Sequence, residues 1–147
     1  MNRRPVREAA IGFLARREHS RGELRRKLRD KGYPEADIDA ALDHLEAERL
    51  LSDRRFAEAY VAARIQRGFG PLRIIAELRQ RQVADPLAER CLEEAGADWE
   101  ALARAARCKR FGAAPPADQR ERARQARFLE GRGFTAAQIR RALEGGD

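Results

Sequence analysis

Apolar residues recur three and four positions apart along the chain. Ile11 with Leu14, Leu24 with Leu28, and Ile38 with Leu42 and Leu45 mark three successive stripes in the first third. That spacing lines one face of an α-helix. No useful stretch alternates with period two and β-branched residues are scarce, so strands are not expected. Gly32–Pro34, Gly68–Pro71, Asp85-Pro86 and Pro115-Pro116 punctuate the pattern. Pro34 and Pro86 are each expected at a first helical position, where a missing N–H costs nothing. Ser20-Arg21-Gly22-Glu23 and Thr135-Ala136-Ala137-Gln138 have the form of a capping box, in which hydroxyl and side-chain carbonyl satisfy two free amides of a helix start. The predicted fold class is all-α.

The pattern also repeats. The segment 27-KLRDKGYPEADIDAAL-42 aligns with 128-FLEGRGFTAAQIRRAL-143 at an offset of 101, pairing Leu28 with Leu129, Gly32 with Gly133, Tyr33 with Phe134, Ile38 with Ile139 and Leu42 with Leu143. A weaker copy, 77-ELRQRQVADPLAERCL-92, lies at an offset of 50. There Leu78, Val83 and Leu92 keep step, Leu87 falls one place short of Ile38, and Gln82 replaces the glycine. Such a period signals stacked helical units. The expected organisation is three tandem three-helix, helix-turn-helix-like repeats, at 1–50, 51–97 and 98–147.

Charge follows the same division. Residues 1–32 hold 11 basic and 4 acidic side chains, whereas 33–50 hold 1 and 6. Residues 51–82 hold 7 and 3, and 83–100 hold 1 and 6. Residues 101–141 return to 11 and 3. With a net charge of +7, the chain favours an anionic partner such as nucleic acid or an acidic protein surface. The only lysines are Lys27, Lys31 and Lys109; arginine supplies the other cations and forms planar bidentate contacts to phosphate or carboxylate. Cys91 and Cys108 stand alone in sequence, so neither a disulfide framework nor a zinc site is expected, and free thiols fit a reducing cytoplasm. No run of apolar residues is long enough to span a bilayer. No cofactor, metal or membrane contact is expected.

The stretch 16-RREHSRGELRRKLRDKG-32 could be read as a basic pocket around a catalytic histidine. His19 has no nucleophile or carboxylate in a suitable arrangement, so a structural or surface histidine is the expectation. On a helical wheel Arg25, Arg26 and Arg29 lie opposite Leu24 and Leu28. Basic helices recur with Arg73, Arg79 and Arg81, and again with Arg120, Arg122, Arg124, Arg127 and Arg132. Stacked alike, they are expected to form a basic strip, with the acidic helices 34–49 and 86–95 lying apart from it. Most aromatics fall on apolar stripes. Phe69, flanked by glycines in 67-RGFGP-71, is the one expected to be exposed.

The runs from Arg17 to Leu28 (R-E-H-S-x-x-E-L-x-x-K-L), Asp53 to Ala57 (D-x-x-F-A), Gly70 to Ile74 (G-P-x-x-I) and Phe128 to Phe134 (F-L-x-x-R-G-F) closely resemble the RecX family of regulatory proteins. The resemblance covers nearly the whole chain; Gln82 departs from it. It implies an elongated array of three-helix repeats that binds the RecA recombinase filament on DNA and restrains it, without catalysis of its own. The family supplies no residue-level site, so charge placement alone nominates the contact residues. These are Arg16, Arg17, Arg21, Arg25, Arg26, Lys27 and Arg29 in the first unit, Arg64, Arg67, Arg73 and Arg79 in the second, and Arg120, Arg124, Arg127 and Arg132 in the third. DNA contact is expected to be weak and salt-sensitive, and the protein to be a monomer. The alternatives are RecA-independent DNA binding and a helical adaptor for another acidic partner. Against the former, the helices offer arginine suited to backbones and lack the mixed polar face that reads bases.

Overall fold

The computed structural model describes residues 4–144, and among them there are nine α-helices and no strand. The first three are α1 (Val6–Leu14), α2 (Arg21–Asp30) and α3 (Glu35–Ala47). Then come α4 (Asp53–Gln66), α5 (Pro71–Gln80) and α6 (Asp85–Ala95), followed by α7 (Trp99–Phe111), α8 (Gln119–Arg132) and α9 (Ala136–Leu143). Each set of three closes on its own apolar cluster. Leu24, Leu28, Ile38, Leu42 and Leu45 fill the first, which also takes in Leu51. Phe56, Val61, Ile74, Leu78, Val83 and Leu92 fill the second, and Leu129, Phe134, Ile139 and Leu143 the third. Trp99 packs against both the second and third clusters.

The repeat read from sequence is visible atom by atom. Leu28, Leu78 and Leu129 are all fully buried. The amide five residues after each donates to its carbonyl: Tyr33 N to Leu28 O, Val83 N to Leu78 O and Phe134 N to Leu129 O, at 3.3, 3.0 and 3.2 Å. This closure requires a left-handed residue between, supplied by Gly32 (φ 92°), Gln82 (φ 63°) and Gly133 (φ 98°). The departure at Gln82 therefore leaves the turn unchanged. In the middle unit the fully buried Ala88 takes the place of Ile38, which explains why Leu87, only partly buried, fell out of step. Both capping boxes form, Ser20 with Glu23 and Thr135 with Gln138. Pro34 stands one place earlier than expected, as the N-cap of α3, and Pro86 follows Asp85 inside the first turn of α6.

The third unit departs from the other two in its core. Four residues after the buried Ala57 and Ala103 come Val61 and Arg107 respectively, and Gln125 stands at the register of Leu24 and Ile74. Arg107 donates to Gln125 Oε1 at 3.2 Å and to the carbonyls of Ala113 and Ala114 at 3.4 and 3.1 Å. A buried guanidinium thus ties down the α7–α8 loop, where unit two uses an aliphatic contact.

Adjacent units join by one recurring contact. The start of the second helix in one unit rests on the turn before the third helix of the next. Between units one and two, Ser20 Oγ donates to Arg81 O at 2.6 Å and Gly22 lies directly under Gln82. Between units two and three, Gly70 N donates to Arg132 O at 2.8 Å and Leu72 N to Gly133 O at 2.9 Å. Gly22 and Gly70 are small for a steric reason. A Cβ on Gly22 would come within 1.8 Å of the Gln82 side chain, and one on Gly70 within 2.5 Å of the Gly133–Phe134 peptide.

Candidate partner-binding surface

On α2, the arginines Arg21, Arg25 and Arg29 run along the edge that faces α3. Arg21 pairs with Asp43 at 2.8 Å and with Glu46, Arg25 with Glu35 and Asp39 at 3.5 Å, and Arg29 with Glu35 at 3.6 Å. The expectation that the acidic helices lie apart from the basic ones is thereby corrected. Two helices joined by a turn as short as Gly32–Pro34 must pack side by side, so their opposite charges meet. The same happens in unit two, where Arg79 pairs with Asp85 at 2.9 Å and Arg54 bridges Glu58 and Glu94. Arg17 pairs with Glu23 at 3.1 Å and Arg124 with Glu121 at 2.9 Å. Exposed pairs of this kind contribute about 0–1 kcal/mol each.

The pairing sorts the nominated residues. Arg17, Arg21, Arg25, Arg29, Arg64, Arg73, Arg79 and Arg124 each have a carboxylate of their own chain. Arg16, Arg26, Arg67, Arg120 and Arg127 are exposed and, among the described residues, have no ion pair. Replacing Arg25 and Arg29 by glutamate is therefore expected to lower stability by about 1 kcal/mol, since the new carboxylates face Glu35 and Asp39. Arg26→Glu is expected to leave it within about 0.5 kcal/mol. Urea midpoints of the two variants check this; equal midpoints would mean the α2–α3 pairs do not form.

Lys27 has a different occupation. Its ammonium lies 2.8 Å from Nε2 of His19, which is 1% exposed. With Lys27 donating to Nε2, the Nδ1–H donates to Arg17 O at 3.0 Å, so the imidazole is neutral. The ring also sits 5.9 Å from that of Phe13, over which Lys27 and Lys31 lie at 5.1 and 5.4 Å. His19 is thus part of the packing at the α1–α2 junction and does not lie on the surface. Burial first, then the charges of Arg17 and Lys27, hold its pKa below the usual value, against a raising effect of the Arg17 carbonyl. The unfolded chain therefore takes up the proton first. Stability is expected to fall as pH drops below about 6.5, before the carboxylates titrate. Denaturation at pH 7.5 and 5.5, compared with a His19→Gln variant, reads the effect. An equal loss in the variant would place its cause elsewhere.

Phe69 is not the exposed ring that its flanking glycines implied. It is half-buried against the second core, with the guanidinia of Arg64, Arg73 and Arg132 at 4.0, 4.2 and 4.8 Å from its centre. Arg64 and Arg73 converge on Glu77, at 2.6 and 3.1 Å, and Tyr60 OH donates to the same carboxylate at 2.8 Å. Burial works to raise the Glu77 pKa, but the donors Arg64, Tyr60 and Arg73 outweigh it and hold the group below its ordinary value. Arg73 also donates to Gly131 O and Arg132 to Arg67 O, so the cluster spans the joint between units two and three. With its faces occupied by arginine, Phe69 offers no platform for a base.

The fold places at the joints further cations that charge placement did not nominate as contacts. Arg81 lies beside Arg26 and Lys27 in a cleft of about 300 Å³ at the first joint. Lys109 and Arg110, from the end of α7, meet Arg67 and Arg132 at the second. No motif marks them, because only the docking of one unit on the next brings them together. Cys91 is buried and Cys108 partly so, and both are free. Among the described residues no cluster of His, Cys, Asp or Glu is suited to a metal, and no helix is long and apolar enough to cross a membrane.

Comparison with known proteins agrees with this architecture along its length. Residues 7–45 match the first three-helix domain of RecX, residues 52–92 the second and residues 98–143 the third. The regulatory protein RecX of Halorhodospira halophila is 52% identical over 142 residues, which cover 97% of this chain and 88% of that one. That of Pseudomonas savastanoi pv. phaseolicola is 48% identical over 140 residues, covering 95% and 90%. The crystal structure of RecX from Lactobacillus salivarius superposes with a TM-score of 0.82 at 21% identity, over 95% of this chain and 92% of that one, showing the shared fold. With all three domains matched in order and half the residues identical to a relative over nearly full length, the chain belongs to the RecX family of regulatory proteins.

Proposed function

We propose that this chain binds the RecA recombinase filament on DNA and restrains its activities: filament extension, ATP hydrolysis, strand exchange and coprotease action. It does so as a cytoplasmic monomer with no catalysis of its own. One observation carries the reading. All three family domains are present, and each presents cations that its own carboxylates leave unpaired: Arg16 and Arg26 in the first, Arg67 in the second, Arg120 and Arg127 in the third. A filament groove offers protein carboxylates and DNA phosphates in a row, and an array of units meets such a surface by several modest contacts in series. Each contact raises the effective concentration of the next. The arginines already paired within the chain can exchange partners at the interface at small cost.

The test is RecA's single-stranded-DNA-dependent ATPase with the chain titrated in at low and moderate salt. A salt-sensitive fall at substoichiometric protein is expected. Arg26→Glu, which leaves the helix packing alone, is expected to shift the titration to higher protein. Unchanged ATPase together with tight binding to bare DNA would replace this reading by RecA-independent DNA binding.

A further inference from the structure

The joint between units two and three opens into a cleft of about 370 Å³ that no electrostatic pairing within the chain explains. Its floor is apolar, made by Ile65 of α4, Leu102, Ala105 and Ala106 of α7, and Phe128 of α8. Its rim carries Arg67, Lys109, Arg110 and Arg132. None of the residues that line it is acidic, and among the described residues none of the four cations has an ion pair. The volume falls within the range of about 300–1,000 Å³ usual for binding pockets. Apolar surface ringed by unpaired charge of one sign is the complement of an amphipathic segment of the opposite sign.

From this we infer that the cleft is a docking site for a short acidic segment of the partner protein, with aliphatic or aromatic side chains seated on the floor and flanking carboxylates on the rim. Nucleic acid is the competing anion, and the floor decides against it. A phosphate backbone gains nothing from Ile65, Leu102 and the two alanines. A base would need an open ring to stack on, yet Phe128 has Arg132 and Arg110 over it at 5.3 and 5.9 Å and meets Phe111 edge-on at 5.4 Å. Guanidinia at the rim suit carboxylates, which accept their N–H groups in pairs. The cleft exists only while units two and three are docked, so the joint itself builds the site.

This assignment rests on the proposed RecA reading for the identity of the partner but not for the chemistry of the site, and one substitution separates them. Ala105 is exposed on the floor. Ala105→Arg fills the floor while adding positive charge. Binding would be followed by fluorescence anisotropy against three probes: RecA filaments on oligo-dT, bare oligo-dT, and a labelled peptide of glutamate, leucine and phenylalanine at helical spacing. For the filament and the peptide, Ala105→Arg is expected to weaken binding about tenfold or more, with bare oligo-dT held as well or better. Arg110→Glu is expected to weaken filament and peptide alike. Filament binding by Ala105→Arg equal to that of the unmodified chain would overturn the site while leaving the RecA reading intact. Failure of the unmodified chain to bind filament would sink the RecA reading, and the peptide arm would still test the cleft. A chain that bound neither filament nor peptide would end the proposal. Far-ultraviolet circular dichroism of both variants guards against misfolding.

Discussion

Gly70→Ala is expected to destabilise the protein by about 3–5 kcal/mol and to uncouple its third unit. Gly70 has φ −91° and ψ 171°, angles open to any residue, so backbone freedom is not its purpose. What matters is proximity: an added Cβ would lie 2.5–2.6 Å from Gly133 C, Gly133 O and Phe134 N, all backbone atoms that cannot swing aside. Making room separates the two segments and lengthens the bonds from Gly70 N to Arg132 O and from Leu72 N to Gly133 O. The arginine cluster on Phe69 spans the same joint and loosens with it. In urea, the variant is expected to unfold in two resolved steps, a breakdown of cooperativity typical of repeat arrays whose interfaces fail. Gly131→Ala provides the contrast. It lies in α8 with nothing within 4 Å of an added Cβ, so alanine there is expected to stabilise by up to about 1 kcal/mol. A Gly70→Ala protein that unfolds in a single transition at the original urea concentration would show that the joint tolerates a methyl and is looser than described.

Ser20→Ala is expected to cost about 2–3 kcal/mol, more than a helix cap alone. The hydroxyl accepts from Glu23 N at 3.0 Å and donates to Arg81 O at 2.6 Å, so one atom both starts α2 and fastens unit one to unit two. Ser20 is wholly buried, and alanine would leave the Arg81 carbonyl facing a methyl group. Thr135 makes the same capping box on α9 using only its own turn, and Thr135→Ala is expected to cost about 1 kcal/mol. The difference between the two losses, read from urea or thermal unfolding, measures the joint. Equal losses would reduce Ser20 to a cap and leave that joint to Gln82 over Gly22, the Arg21 amide on Asp53 and the Glu18–Arg55 pair.

These two residues show where reading the chain residue by residue succeeds and where it stops. Ser20 was legible as a cap because the box S-x-x-E closes within one helical turn. Its bond to Arg81, 61 positions away, was not. Gly22 and Gly70 carry no local sign of their purpose, since neither has a left-handed backbone. Arg25 and Arg29 were correctly placed away from Leu24 and Leu28, but a helical wheel does not say whether the far side meets water or a neighbour. Here much of it meets Glu35 and Asp39. Phe69 was misjudged for the same reason, because Arg132, one of the guanidinia over it, comes from α8 in the next unit.

The sequence by itself determined the helices, the capping boxes at Ser20 and Thr135, and the repeat in which Leu28, Leu78 and Leu129 are equivalent. Those features depend on contacts within a turn or on a periodic apolar face, and both are written in spacing. Tertiary structure alone decided which cations stay unpaired, how Ser20 and Gly70 lock unit to unit, and where Arg67, Lys109, Arg110 and Arg132 gather. Hydrogen bonds and ion pairs act only within a few ångströms. Which distant residues come that close is settled by the tilt of one unit on the next, and no local pattern encodes that tilt.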